Sequence, residues 1–478
     1  MRLRSGRGGK RTTARALAAA LLSTALLSTA LLAGCASSAS SDSGASTSPS
    51  SPTSTTSTAT APSSPTSSAP PRLPPETLTF GVIGSAGEIE QYRTMAETYA
   101  PLSRTVTVKV ESWPNDAAML DAFQHGQKVP DVFLANRRHL DYLVQHQLVQ
   151  PVDQLLDDRG FDFGDEYPRS SLTAFGSDNR LECLPYGVQP AVIFYNKQLV
   201  KLGRIRNDPP KPGQGWSLDQ FAAAVRWAVT HDPGVAGAHL DADLAGVAPF
   251  IYSGGGNLFD NAGQPTSLAL SDDTNVQTLT QTLRALRAPG AGLTPEQLQK
   301  HSALEWFMRG RVAMIEGSRR MVPDLRAADG LRFDVMPMPS LSTSATVGNL
   351  TGLCLSRTAS DVATAADFLV YASSPGALAL VSYGGYLQPA NQSVALSDAF
   401  QQPELQPRHS AAFTFSVKSM VYPPAVSGSD ELDLAVDPLL QKLLDGSPGD
   451  VPRLARRIDR ASYRILGPRL GPSASPTG

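Results

Sequence analysis

Several residues in this sequence could bind a metal ion or take part in catalysis, but their spacing fits no established site. Residues 241–243, Asp-Ala-Asp, resemble the start of a calcium-binding loop, yet Tyr252 stands where an EF-hand requires its last glutamate. His139 and His146 could share one helix face, but no cysteine or carboxylate stands at ligand spacing around them. No H-E-x-x-H, G-x-S-x-G, P-loop or C-x-x-C motif occurs. We therefore expect no enzyme activity, no metal and no cofactor.

Cys35 is the residue whose context indicates a covalent modification. It follows Leu-Ala-Gly, which matches the lipobox of bacterial lipoproteins, after a basic segment and an apolar stretch over residues 16–33. We expect residues 1–34 to be a signal peptide and Cys35 to carry lipid, palmitate included. Such an anchor would hold the protein at the extracytoplasmic face of the cell membrane. The alternative is an uncleaved N-terminal membrane helix.

The charge and composition of the rest of the chain argue against nucleic-acid binding. Removing residues 1–34 removes six positive charges and no carboxylates, so the formal net charge changes from −2 to −8. A protein with this charge does not attract polyanions. Residues 35–75 consist mostly of Ser, Thr, Ala and Pro, which predicts a disordered tether, and residues 467–478 should be a disordered tail.

The folded part begins near Glu76 with strands that alternate with helices. Strands are predicted over residues 77–83, 105–110 and 130–135, and a helical pattern follows each of them. This alternation predicts an α/β fold with a mainly parallel sheet, in which ligands bind at the carboxyl ends of the strands. The loops after the first and third strands, residues 85–88 and 136–138, are therefore candidates for a binding site.

The stretch 181–197, LECLPYGVQPAVIFYNK, is predicted to cross between two domains. Its apolar runs at 181–184 and 191–195 flank Pro185, Gly187 and Pro190, which do not all fit inside a central strand. Its L-P-Y-G and Y-N-K segments resemble the crossover of the family 1 extracellular solute-binding proteins, the sugar-binding lipoproteins of ABC importers. The most distinctive further match is F-x-x-G-x-x-A-M-x-x-G over residues 307–317. Further crossings are matched at residues 348–352 and 384–389, and the resemblance covers residues 76–466.

This resemblance implies a fold like that of the type II periplasmic binding proteins, with two α/β lobes that each contain a mainly parallel sheet. The first lobe would comprise residues 76–187 plus 348–388, and the second residues 188–347 plus 389–466. The implied function is capture of a carbohydrate by hinge closure and its delivery to an ABC permease, with the protein expected to be a monomer. The alternatives are a ligand-sensing accessory protein for a membrane receptor kinase, or a binder of a sugar acid or another anionic or polyol solute.

The resemblance also implies a set of ligand-binding residues. They come from the first lobe, the crossings and the second lobe: Ser85, Glu88, Asn136, Arg137, Tyr186, Gln189, Asn349, Asp243, Arg319 and Asp430. Tyr186 is the strongest of these, because a tyrosine in a crossing segment is expected to border the cleft.

One departure from the family bears on the ligand. Many members carry G-x-W after the A-M motif, whereas here Gly317 is followed by Ser, Arg and Arg. Without that tryptophan a long maltodextrin is a doubtful ligand, and Arg319 could instead stack on a ring or bind an anionic group.

The cysteines that remain after Cys35 are Cys183 and Cys354, an even number in a compartment where disulfides persist. In the resemblance both lie in neighbouring strands of the first lobe, which implies a Cys183–Cys354 disulfide. Two separate buried thiols are the alternative, because a register shift of one residue would turn one sulfur to the opposite face.

Overall fold

The computed structural model describes residues 76–103, 106–205 and 208–467. The predicted signal peptide, the anchor at Cys35, the tether and all but the first residue of the predicted tail lie outside these ranges. The strands are β1 Glu76–Ile83, β2 Val106–Trp113, β3 Val132–Asn136, β4 Val149–Gln150, β5 Gly176–Ser177, β6 Arg180–Leu181, β7 Cys183–Pro190, β8 Val192–Asn196, β9 Met314–Gly317, β10 Phe333–Pro337 and β11 Gly348–Ser356.

The helices of the amino-terminal half of the chain are α1 Ala86–Glu97, α2 Ala100–Ser103, α3 Asp116–Gln124, α4 Leu140–Gln145, α5 Asp153–Asp157, α6 Arg169–Ala174 and α7 Leu218–His231. Those that follow are α8 Leu244–Ser253, α9 Asp273–Leu286, α10 Pro295–Leu298, α11 Ala303–Met308, α12 Val322–Ala327, α13 Val362–Ala372, α14 Pro375–Tyr383, α15 Gln392–Leu396, α16 Asp398–Gln401, α17 Ala411–Val417, α18 Ser429–Asp445 and α19 Val451–Leu466. Short 3-10 helices cover Arg137–His139, Leu202–Arg204, Arg319–Met321 and Pro448–Asp450.

The first lobe is built on a sheet with strand order β2-β1-β3-β11-β4, and β7 pairs with β11. The pairs β1–β2 and β1–β3 are parallel, as the alternation of strands and helices predicts. Strand β11 pairs antiparallel with β3, β4 and β7, because it enters this sheet from the second lobe in the reverse direction. The apolar side chains of β1, β3 and β11 form one core with those of α1, α13 and α14.

The second lobe is built on a sheet with strand order β10-β8-β9. Both pairs are antiparallel, so this sheet differs from the mainly parallel sheet expected in each lobe. The reason is directional: β8 carries the chain away from the crossing, whereas β9 and β10 run back toward it. Isolated parallel bridges join Ala236 to Val312, just before β9, and His239 to Ile315 within β9. The two-lobed α/β architecture itself is as predicted.

The crossing strand β7 contains the prolines that were expected to interrupt it. Pro185 lies opposite Gly352 and Pro190 opposite Gly348, and the register of the β7–β11 pair shifts between Thr351 and Gly352. The irregularity lies beside Pro185 and Pro190 ends the strand, so the ladder tolerates these two residues, which have no N–H to donate. At the other end of the pair Cys183 lies opposite Cys354, and the structure joins them by a disulfide with a Cα–Cα distance of 4.3 Å.

The carboxyl-terminal helices α18 and α19 pack on α8 and α9 through a separate apolar cluster, which includes Val436, Leu440 and Ile458. This cluster lies on the second-lobe side of the crossings. Within the described residues no single helix is long and apolar enough to cross a membrane; the pair α13 and α14, bent by 62°, passes that test only together.

Candidate functional site

A cavity of about 430 Å³ lies between the two lobes. The first lobe contributes the carboxyl end of β3 with the 3-10 turn after it, part of β7 and the start of β11. The second lobe contributes the start of α8, the end of β9, the segment 422–426 and one face of α18. The cavity therefore lies at the strand end where the sequence pattern predicts a binding site.

The first-lobe side of the cavity is lined by four residues that were expected to contact ligand: Asn136, Arg137, Gln189 and Asn349. Asn136 donates from Nδ2 to Oδ1 of Asn349 at 3.3 Å, which ties the ends of β3 and β11 together. Gln189 donates from Nε2 to the carbonyl of Tyr386 at 2.8 Å, while its Oε1 is buried without a partner in the part of the chain that the structure describes. These amides supply donors and acceptors of the kind that sugar hydroxyls require.

Arg137 is held by backbone carbonyls and makes no ion pair among the described residues. Its Nε donates to the carbonyl of Ala174 at 2.9 Å, and Nη1 donates to the carbonyl of Pro423. Burial lowers the pKa of Arg137, with the charge of Asp141 opposing that shift. Arg137 thus connects the 3-10 turn of the first lobe to the segment that follows α17.

Arg138 lies in the candidate loop 136–138 but was not among the expected ligand contacts, and it forms a charged contact across the rim. Its Nη2 donates to Oδ1 of Asp430 at 2.8 Å and to Oδ2 of Asp433 at 2.7 Å, both on α18. Asp430 was expected to contact ligand, but it is not part of the cavity lining, whereas Asp433 is. The sequence feature that points to Arg138 is its position in the turn after β3, next to Asn136 and Arg137, which were both expected to contact ligand.

Carboxyl groups dominate the second-lobe side of the cavity. Asp243 caps α8 by accepting from the N–H of Gly246 at 2.8 Å, and burial raises its pKa. Glu316 on β9 is buried, and burial together with the charges of Asp241 and Asp243 raises its pKa well above the ordinary value. Asp437 on α18 has its pKa raised to about 6 by burial and by Asp433 and Asp243, with Arg138 opposing. Of these residues, only Asp243 was predicted from sequence.

The structure places Tyr186 away from the cavity, which differs from the prediction. Its side chain is 1% exposed and belongs to the first-lobe core, where its ring lies 6.4 Å from that of Tyr92. Burial raises the pKa of Tyr186 far above its usual range. The physical reason is that β7 is buried on both faces, so a crossing residue need not face the cleft.

Arg319 also lies outside the cavity, although it was predicted to contact ligand. It is fully buried, its Nη2 donates to the carbonyl of Phe400 at 2.8 Å, and its guanidinium lies 4.6 Å from the centre of the Phe400 ring. Burial lowers its pKa to about 9, with a further contribution from Arg326. Arg319, in the 3-10 turn after β9, therefore packs against α16 and α17 and is not placed to bind an anionic ligand.

Ser85 and Glu88 lie at the start of α1, and neither lines the cavity. Ser85 caps the helix by accepting from the N–H of Glu88 at 3.4 Å. Glu88 is 1% exposed, and its Oε1 accepts from Nη2 of Arg320 in the second lobe at 3.1 Å. Gly84 has a φ of 151°, and a Cβ at this position would collide with the Glu88 carboxylate, so glycine is required there.

Two further features bear on the choice of site. Among the described residues no group of His, Cys, Asp and Glu side chains is arranged to hold a metal ion. A larger cavity of about 730 Å³ lies within the second lobe between α9 and α18, but its lining consists mainly of apolar side chains and the loop 287–295. The cavity between the lobes has polar groups from both sides, so we take it as the candidate site.

Comparison with known proteins supports this assignment of the fold. The family model for the bacterial extracellular solute-binding proteins matches residues 94–407. An ABC substrate-binding protein from Listeria monocytogenes, solved with cycloalternan, has a TM-score of 0.69 at 17% identity and covers 82% of this chain and 99% of its own.

Other solved structures give similar values. The GacH receptor of Streptomyces glaucescens, solved with acarbose, has a TM-score of 0.67 at 19% identity, covering 82% of this chain and 98% of its own. The maltose-maltodextrin binding protein of Alicyclobacillus acidocaldarius has a TM-score of 0.63 at 21% identity, covering 80% and 100% respectively. At these identities the likeness shows the fold.

Proposed function

We propose that this chain, which belongs to the bacterial extracellular solute-binding proteins, captures a carbohydrate outside the cytoplasm and delivers it to an ABC importer. The observation that carries the proposal is the cavity between the lobes, whose polar groups come from both sides. A ligand that contacts Asn136, Gln189 and Asn349 on one side and the carboxyls of α8, β9 and α18 on the other would favour the closed arrangement of the lobes.

The solved structures with this fold that were obtained with cycloalternan and acarbose support a carbohydrate as the ligand. Amide and carboxylate side chains suit this class, because each sugar hydroxyl both donates and accepts hydrogen bonds. We also propose that the chain passes between the lobes at the β7–β8 junction, just after the boundary expected at 187/188, at the start of β11 and at 388/389, and that the protein acts as a lipid-anchored monomer.

The purified mature domain is mixed with each member of a panel of mono- and oligosaccharides, and binding is measured by thermal shift and by calorimetry. A ligand at 100 times its dissociation constant should stabilise the protein by about 2.7 kcal/mol. Asn136→Ala with Asn349→Ala should weaken binding, whereas Gln198→Ala, an exposed amide outside the cavity, should not. Normal binding by the double variant would refute this site, and failure of every carbohydrate to bind would refute the function.

The anchor is tested separately in cells. Cys35→Ser should release the protein from the membrane fraction or leave an uncleaved precursor. Normal processing with membrane retention in this variant would refute the lipoprotein assignment.

A further inference from the structure

The charges of the cavity are unbalanced in favour of carboxylates. Its lining holds two arginines, Arg137 and Arg138, and a larger set of acidic residues: Asp241, Asp243, Glu316, Asp433 and Asp437. Arg138 is committed to Asp430 and Asp433 on α18, and Arg137 to backbone carbonyls. Among the described residues no lysine or arginine forms an ion pair with Asp243, Glu316 or Asp437, and Asp241 pairs with His239 at 3.5 Å.

Glu316 is the residue that indicates a ligand. Its side chain is 7% exposed and lines the cavity from the end of β9. The Asp241 backbone donates one hydrogen bond to the carboxyl, but Oε2 is buried without any partner in the described part of the chain. A buried polar oxygen without a partner costs about 1–3 kcal/mol, and a ligand that donates to it would recover this energy.

The other buried and unpartnered oxygens of the cavity wall include further acceptors. Oε1 of Gln189, on the first-lobe side, has no partner within the described ranges, while its Nε2 donates to the carbonyl of Tyr386. Oδ1 of Asp437, on α18, likewise has no partner among the residues described. The cavity is thus lined from both lobes by side chains that carry unpartnered oxygen atoms: Glu316, Gln189 and Asp437. The complementary ligand group has several donors and carries positive charge.

We propose that the carbohydrate bound here carries a protonated amine, so that the ligand is an amino sugar whose ammonium group contacts the carboxyl of Glu316. An ammonium group has three donors and no acceptor, and it compensates the negative charge of the wall. A sugar acid would place its own carboxylate among these groups and be repelled. This inference rests on the proposed function, since it specifies the ligand class of the same site.

Matched sugars that differ in a single substituent test the inference. Glucosamine is compared with glucose and N-acetylglucosamine, and the fully deacetylated glucosamine disaccharide with cellobiose, by calorimetry on the mature domain. We expect the amine in at least one series to bind about tenfold or more tighter than its hydroxyl counterpart, as for a hydrogen bond to a charged group. That preference should be lost in Glu316→Gln, whose neutral side chain has nearly the same shape.

Asp437→Asn provides a second variant at a less buried position, and it should reduce the same preference. Asp329→Asn, an exposed carboxylate outside the cavity, is the matched control and should leave it unchanged. Equal or tighter binding of the neutral sugars to the unmodified protein would overturn the amine inference and leave the proposed function intact. Absence of binding by any carbohydrate, charged or neutral, would overturn both.

Discussion

The ion pair between Glu88 and Arg320 joins the two lobes, and removing its cation should destabilise the protein in a pH-dependent way. Glu88 is 1% exposed on α1, whereas Arg320, just after β9, keeps 46% of its side chain exposed. Their Oε1 and Nη2 atoms are 3.1 Å apart, and Oε2 of Glu88 has no partner among the described residues. The substitution Arg320→Met would leave this buried carboxyl without a cation.

The size of the effect follows from the unequal burial of the two partners. Breaking a fully buried ion pair costs about 3–5 kcal/mol, and exposed pairs contribute less than about 1 kcal/mol. Because Glu88 is buried but Arg320 is half-exposed, we expect Arg320→Met to lower the free energy of unfolding by about 1–3 kcal/mol near pH 8.

The sign of the pH dependence follows from the pKa of Glu88. Burial raises this pKa above 4.5, and Arg320 opposes the shift. Without Arg320 the pKa rises further, so the folded state binds the proton more tightly than the unfolded state. Stability then falls as the pH rises through the interval between the unfolded and folded pKa values. The deficit of the variant should therefore be largest at alkaline pH and shrink as the pH approaches 4.5.

Urea denaturation of the unliganded domain, followed by tryptophan fluorescence, measures the deficit at several pH values. Glu88→Gln removes the buried charge, so Arg320→Met should cost little when made in that background. Arg332→Met, at an exposed arginine of the second lobe, is the control for the loss of one surface charge. A deficit that is independent of pH, or that persists in the Glu88→Gln background, would refute the reasoning.

Three other substitutions have expected outcomes. Tyr186→Ala should lower the free energy of unfolding by about 3–5 kcal/mol in denaturant titrations, because it removes a side chain from the core. A variant with unchanged stability whose only defect is weaker ligand binding would contradict the burial of Tyr186. Replacing Cys183 and Cys354 by serine should lower the free energy of unfolding by at most roughly 5 kcal/mol, since the bond spans a sequence separation of 171. In the unmodified protein, alkylation followed by mass measurement should find neither cysteine as a free thiol. Arg138→Ala should raise the pKa of Asp437 above about 6, measured by carboxyl NMR titration; an unchanged pKa would contradict the charge contact.

The parts of the fold that were predictable from sequence are those fixed by local patterns. The alternation of strands and helices over residues 77–147 predicts β1, α1, β2, α3, β3 and α4 close to their observed bounds. The direction of pairing in the second lobe was not predictable in this way. A short apolar strand such as β8 has the same pattern in parallel and antiparallel sheets, and its partners β9 and β10 lie more than a hundred residues away.

The predicted site residues fall into two groups, according to whether the topology or the tertiary packing sets the direction of the side chain. Asn136 and Asn349 lie at the ends of strands, where the topology alone places them at the cavity. Tyr186 and Gln189 lie inside β7, which is buried along its whole length, so no alternation of polar and apolar residues indicates which face each occupies. Two tertiary features decide that Tyr186 enters the core and Gln189 reaches the cavity. They are the register of β7 against β11 and the chain segment packed on the other edge of β7.

The adjacent residues Arg319 and Arg320 show why the ligand chemistry depends on the tertiary structure. A single step along the 3-10 turn directs one guanidinium into the aromatic cluster of Phe400 and Phe413 and the other to Glu88. With both arginines engaged outside the cavity, neither neutralises the carboxyl of Glu316, three and four residues earlier in the chain. From sequence, the arginines after Gly317 leave an anionic or polyol ligand open, whereas the positions of the same side chains leave an acidic wall, which is the basis for proposing a ligand that donates hydrogen bonds and carries positive charge.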